Sequence, residues 1–169
     1  SDAGKGSNYW SVGDAKGITI NGKVGATTIS NLSISVFILG FNHNASREGS
    51  NRIHFQIGKI NGTLVGLVDG NYDSSTSTTG GWNNSHMRKT VLGSNSASAT
   101  SPAANTLLAA LPADLRAVMK PATKYSDNTG GGSDTASYVT STTDLLPLLS
   151  EFEYHGARSY ANSAEKNYQ

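Results

Sequence analysis

The chain has 169 residues, 13 Lys and Arg against 12 Asp and Glu, a formal net charge of +1 and no cysteine. That balance, with the cations scattered singly, gives no electrostatic case for a nucleic-acid partner, and the missing thiol excludes disulfides, thiolate catalysis and Cys-ligated zinc or iron–sulfur sites. Charged residues are 15% and hydrophobic residues 36%, and 23 Ser, 16 Thr, 15 Asn and 19 Gly fill the difference from an average globular chain.

This length can bury a proper core without staples. No apolar run, Val36-Phe37-Ile38-Leu39 included, approaches the length needed to span a membrane. No signal-peptide pattern is present, and the start at Ser1-Asp2-Ala3-Gly4 reads as a mature or engineered fragment. The composition points to ordered loops and hydroxyl-rich β-faces, as in extracellular, cell-surface or virion proteins. One domain over 1–169 is expected, β-rich over 1–68 and helix-containing over 82–169. The fold class is α+β, with N-terminal antiparallel β hairpins followed by two or three short helices and further strands.

In chain order, Ile18-Thr19-Ile20-Asn21-Gly22-Lys23-Val24 reads as strand, Asn-Gly turn, strand, because Asn-Gly supplies the two positive φ angles of a type I′ turn. Leu32 to Phe41 alternates and then turns fully apolar, which predicts a strand passing from half-buried to fully buried. Ile53, Phe55 and Ile57 alternate on one face, which leaves His54 facing solvent. Asn61-Gly62 is expected to turn that strand into Thr63–Val68. Residues 69–81 read as a loop or connector.

Met87, Val91 and Leu92 follow helical spacing, and Gly93 is a natural residue to end a helix. Ser101-Pro102 predicts a helix start. Leu107, Leu108, Leu111, Leu115, Val118 and Met119 give an apolar stripe. Pro112 cannot sit inside a helix, so two short helices are expected, with Pro112 opening the second and Pro121 stopping it. Loop and strand character returns around Gly130-Gly131-Gly132. Ser150 with Glu153 makes a capping box for a helix reaching about Ala157.

Several segments in this order carry a resemblance. They are Gly81-Trp82-Asn83-Asn84-Ser85-His86-Met87-Arg88, Leu111-Pro112-Ala113-Asp114-Leu115-Arg116-Ala117-Val118, Lys124-Tyr125-Ser126-Asp127-Asn128-Thr129-Gly130-Gly131-Gly132-Ser133 and Leu148-Leu149-Ser150-Glu151-Phe152-Glu153. With Tyr9-Trp10-Ser11-Val12-Gly13-Asp14 and Phe37-Ile38-Leu39-Gly40-Phe41-Asn42-His43-Asn44, they resemble an uncharacterised family of gut Firmicutes and their prophages, found at the C-terminal ends of surface and tail-like proteins. Leu148 to Tyr154 is also similar to the helix entry of the C-type-lectin-like fold, as in formylglycine-generating-type proteins and retroelement-diversified phage receptors. The resemblance implies a scaffold that displays ligand-binding loops. It also implies a second half with a Trp-Trp-x-Arg-Ser-type motif, which this chain does not contain.

The residues that carry chemistry are few. His43, His54, His86 and His155 share no metal-ligand spacing. Glu151 and Glu153 lie on different faces of a helix, which argues against an acid–base pair. Asp127, Asn128 and Asp134 flank the triple glycine. As oxygen ligands in a Gly-rich loop they are the candidate ligand-binding residues, with calcium as one reading and Asx-turn chemistry as the other. Trp82 reads either as a sugar-stacking platform or as an anchor for its helix, and Arg88 as a partner for Glu151 or Glu153. Asn31, Asn44, Asn61 and Asn83 fit the glycosylation pattern.

These readings converge on a non-catalytic recognition or display domain with a glycan or protein ligand. No cofactor, metal, nucleic acid or membrane span is expected, and oligomerisation is compatible with the fibre-like composition. A structural or assembly domain is the alternative. A relative of the formylglycine-generating enzymes is a further one, although that chemistry needs redox cysteines.

Overall fold

The computed structural model of the chain describes residues 4–25, 27–60, 79–131 and 133–168. The architecture is mixed α+β. A three-stranded antiparallel sheet comes first, with β1 (Ala15–Val24), β2 (Thr27–Phe41) and β3 (Ile53–Ile60) in the order β1-β2-β3. A second, two-stranded antiparallel sheet pairs β4 (Ala122–Asp127) with β5 (Val139–Asp144). Short helices lie between and after them: α1 (Ala45–Glu48), α2 (Gly81–Asn84), α3 (Leu107–Ala110), α4 (Ala113–Val118) and α5 (Glu151–His155).

The N-terminal sheet corrects the expected Asn21-Gly22 turn. β1 runs straight through both residues, and the chain reverses after Val24. The register shifts between Ile20↔Leu32 and Gly22↔Ile29, so Asn21 sits at a β-bulge. Asn31 takes up the distortion with φ +48, and its N–H donates to Asn21 Oδ1 at 2.6 Å. Burial explains the outcome. A hairpin tip at Asn21-Gly22 would expose the chain around Ile20 and Val24, which are both buried in the main hydrophobic cluster. An Asn-Gly pair serves a bulge as well as a turn.

Beyond its bulge, β2 alternates from Leu32 to Leu39. Ile34, Val36 and Ile38 are buried, whereas Phe37 and Leu39 are exposed. The apolar end of this strand is therefore two-faced and not fully buried, which corrects the expectation from the sequence. The predicted strand through Ile53, Phe55 and Ile57 is β3. The Asn61-Gly62 hairpin and its returning strand lie outside the described residues, as does most of the 69–81 connector.

The helical region is more broken than the apolar stripe predicts. A single π-helical turn spans Met87–Val91, closed by Leu92 N–H donating to Met87 O at 2.9 Å, and Gly93 follows it at φ +71. Ser101-Pro102 does not begin a helix. Thr106 does, and its hydroxyl accepts from Ala109 N–H at 3.3 Å to cap α3. Pro112 ends the first helix and sits at the N-cap of α4. α4 stops at Val118 because Met119 is already extended. The first part of the stripe supplies core residues, whereas Val118 at its far end is exposed. Leu107, Leu108 and Leu111 join Ile20, Val24, Ile29, Ile34, Val91 and Leu145 in one hydrophobic cluster.

The end of the chain is docked by aromatic stacking. The Tyr125 and Tyr168 rings lie parallel at 4.3 Å, and the Arg47 guanidinium sits over both at 5.4 and 5.3 Å. Arg47 also donates to the carbonyls of Asn167 and Tyr168, at 3.0 and 3.1 Å. Among the described residues, no helix is long and apolar enough to cross a membrane.

Candidate functional site

The candidates Asp127, Asn128 and Asp134 lie where β4 ends and the glycine-rich loop begins. Asp127 Oδ1 accepts from Thr129 N–H at 3.0 Å and from its hydroxyl at 2.6 Å, which is the Asx-turn arrangement. Its Oδ2 accepts from Asn162 Nδ2 at 3.1 Å. Partial burial opposes its charge, but the hydrogen bonds from Thr129 and Asn162 outweigh it and hold the carboxyl below its ordinary value. Asn128 ties two elements together: Oδ1 accepts from Asn83 N–H at 2.8 Å, and Nδ2 donates to Thr140 Oγ1 at 2.7 Å.

Asp134 faces the C-terminal segment. Its Oδ1 accepts from Ser163 N–H at 2.6 Å and its Oδ2 from Arg158 at 2.5 Å. The Ser163 N–H, seconded by Arg158, holds this carboxyl low. Asp127, Asn128 and Asp134 thus surround the loop with their oxygens already engaged by amides, hydroxyls and a guanidinium. Among the described residues, no group of His, Asp and Glu has the geometry to hold a metal ion.

Trp82 and Arg88 meet on a carboxylate that no sequence pattern singles out. Asp144, fully buried at the end of β5, accepts from Arg88 Nε at 2.7 Å on Oδ1. On Oδ2 it accepts from Trp82 Nε1 at 2.9 Å and from Thr142 Oγ1 at 2.5 Å. Arg88 therefore pairs with Asp144 and not with Glu151 or Glu153. Trp82 packs against the hydrophobic cluster, which is the anchor reading of this residue.

A second polar corner joins α1, β3, β4 and α5. Glu48 Oε1 accepts from Thr123 N–H at 2.6 Å, and its Oε2 lies 3.4 Å from His54 Nε2. His54 is therefore drawn back to α1 and only a quarter exposed, which corrects the solvent-facing expectation. Its ring meets His43 edge to face at 5.7 Å. His43 Nε2 lies 3.4 Å from Glu153 Oε1. Glu153 Oε2 accepts from Ser150 N–H at 2.8 Å, completing the predicted capping box, and also bonds Lys124 Nζ. Burial would raise the Glu153 carboxyl, but the Lys124 ammonium and the Ser150 amide more than offset it and keep the group low. No linear spacing reveals that His43 and His54 are neighbours, because the turn carrying α1 folds them together.

What remains on the surface is aromatic. Tyr9 is 74% exposed and Trp10 50% exposed, with ring centroids 6.0 Å apart at 57°. The turn that carries them is fixed from both sides. Tyr9 N–H and Trp10 N–H donate to Gly6 O at 3.1 and 3.0 Å. Ser11 N–H donates to Asp14 Oδ2 at 2.8 Å, Gly13 N–H donates to Ile38 O at 2.8 Å, and Ile38 N–H donates to Asp14 O at 2.9 Å. Gly6 itself is buried where a Cβ would sit 2.9 Å from Ile53 Cδ1 and 3.3 Å from Phe41. Phe37, Leu39 and Phe55 are also exposed, as are Tyr154 and Tyr160 near the C-terminal end. Sequence reasoning offers Trp82 as the aromatic platform and passes over this pair. The local signal for Tyr9-Trp10 is the polar context Ser7-Asn8…Ser11, in which two large aromatics have no apolar neighbours.

Comparison with protein-family models, with curated protein sequences and with solved structures gives no match.

Proposed function

We propose that this chain is a non-catalytic recognition or display domain of a surface-exposed or virion protein, binding a glycan or protein ligand. The observation that carries this reading is the division of labour among side chains. Three buried carboxylates act as struts: Asp144 holds Arg88 and Trp82, Glu48 holds the Thr123 amide, and Glu153 holds Lys124 and the Ser150 amide. The large aromatics Tyr9, Trp10, Phe55, Tyr154 and Tyr160 face outward. Charged groups committed to backbone amides are poor general acids or bases, whereas exposed Tyr and Trp are the residues from which binding surfaces are built.

Composition and the segment resemblance point the same way. An abundance of Ser, Thr and Asn suits a hydrated surface, and the likeness to surface and tail-like proteins implies an extracellular or virion setting. The test is a glycan array together with a pull-down from bacterial surface extract. Specific capture by either supports the reading. Capture by neither, from a chain that light scattering shows as a stable trimer, replaces it with an assembly role.

A further inference from the structure

We infer that the Tyr9–Trp10 turn is the contact subsite for a neutral saccharide, a narrower assignment that rests on the recognition reading above. Three properties of the turn converge on that ligand. First, the two rings stand side by side and exposed, and an aromatic face attracts the C–H face of a pyranose while its polar edge stays wet. Second, Ser7, Asn8 and Ser11 are all exposed around the rings and carry hydroxyl and amide groups of the kind that pair with sugar hydroxyls. Third, the turn has no net charge, since Lys5 and Asp14 are the only ionisable side chains between Gly4 and Asp14 besides the Tyr9 phenol. A neutral ring fits that field better than a phosphorylated or sulfated one.

The turn is also prepared for binding. Its backbone is pinned to Gly6 O, to the Asp14 carboxylate and to Ile38 on β2, and Gly6 is wedged against Ile53 and Phe41. Tyr and Trp have two side-chain torsions each, so little freedom is left to lose when a ligand stacks on them. Trp82 is less suited to this role because its ring packs against the hydrophobic cluster and its indole N–H is bonded to Asp144.

The chain holds two tryptophans, so its two-dimensional 1H–15N spectrum carries two indole cross-peaks, one exposed and one bonded to Asp144. The full chain is titrated separately with neutral oligosaccharides of glucose, galactose, mannose and N-acetylglucosamine. At least one is expected to move the Trp10 peak saturably, with a dissociation constant on the order of 1 mM, and to leave the Trp82 peak in place. Trp10→Ala should weaken that ligand at least tenfold, on the order of 1.4 kcal/mol, while Trp10→Phe retains part of the affinity. The unmoved Trp82 peak in both variants reports that they are folded. The assignment is overturned if none of the four saccharides moves the Trp10 peak, or if Trp10→Ala binds as well as the parent. Binding to the array or surface extract that survives Trp10→Ala removes this subsite and leaves the recognition reading standing. A parent chain that captures nothing in either assay removes both.

Discussion

The two halves of the molecule share one hydrophobic cluster and differ in the buried polar bonds that one of them adds. Among the described residues of the N-terminal sheet, the buried ones are Ile20, Val24, Ile29, Ile34, Val36 and Ile38, a branched apolar set on two strands. Among the described residues, the buried polar and charged ones lie between Arg88 and Glu165: Arg88, Ser94, Thr106, Lys124, Thr142, Asp144, Asn162 and Glu165. The sheet needs only alternation to place its apolar face, and area burial then stabilises it. The second half has short helices of four to six residues, which bury little each and do not stand alone. Besides the apolar residues it gives to the shared cluster, it is fixed by specific bonds from carboxylates to amides and cations. Apolar burial tolerates imprecision, whereas a buried charge requires its partner to be in place. The second half should therefore be the more sensitive of the two to the loss of one functional group.

Two substitutions test that contrast most strongly. Asp144→Asn keeps the shape but leaves the Arg88 guanidinium buried without its counter-charge, and should cost about 3–5 kcal/mol. Ile20→Ala opens a cavity under the completely buried centre of β1 and should cost about 2–5 kcal/mol. Urea denaturation measures both. The difference lies in where the damage goes: Asp144→Asn should release the Trp82 indole resonance, whereas Ile20→Ala should leave it in place. Equal perturbation of Trp82 by both would mean that the halves do not differ as described.

The same contrast explains what could be read from the sequence. The strand character of 18–24, 32–41 and 53–60 was legible because alternation is a local property, and so was the core role of Leu107, Leu108 and Leu111, although the stripe read through Met119 includes the exposed Val118. The Ser150–Glu153 box was legible because both partners lie within one turn. The bulge at Asn21 was not, because turn chemistry and bulge chemistry share residues and only burial of Ile20 and Val24 chooses between them. Asp144 with Arg88 was missed because the partners are 56 positions apart and the chain offers several other carboxylates. The His43–His54 neighbourhood was missed because neither residue has metal spacing. Asp127, Asn128 and Asp134 flank the triple glycine in sequence, and the partners of the two aspartates, Asn162, Ser163 and Arg158, come from a segment with no sequence pattern.

A smaller effect sharpens the picture through pH. Burial raises the Glu153 carboxyl, but Lys124 and the Ser150 amide overcompensate, so its folded value lies below the ordinary 4.5. A lowered carboxyl contributes stability that is present above its unfolded value and is lost as pH falls through the folded one. Glu153→Gln should therefore lower stability by about 1.5–3 kcal/mol at neutral pH. That gap should close as the medium is acidified below the folded value, where the parent is protonated too. A gap that is the same at acid and neutral pH would show that the loss is one of packing and not of charge.

Glu165 provides the opposite sign at the other end of the same half. It is buried, it sits near the negative charge of Asp127, and its carboxyl is raised, with burial the leading cause and the Asp127 amide opposing it. A raised carboxyl contributes stability that is present below its ordinary value of 4.5 and is lost as pH rises through the folded value. At neutral pH the ionised group therefore works against the fold. Glu165→Gln keeps an oxygen to accept from Asp127 N–H and removes the charge, so it should raise neutral-pH stability by up to about 1 kcal/mol. Thermal melts of parent and variant should differ most at neutral pH and converge on acidification. Where Glu153→Gln loses stability at neutral pH, Glu165→Gln should gain it. A variant less stable than the parent at neutral pH would mean that Glu165 is a strut in its charged form, like Glu153, and that the carboxylates of this half act alike.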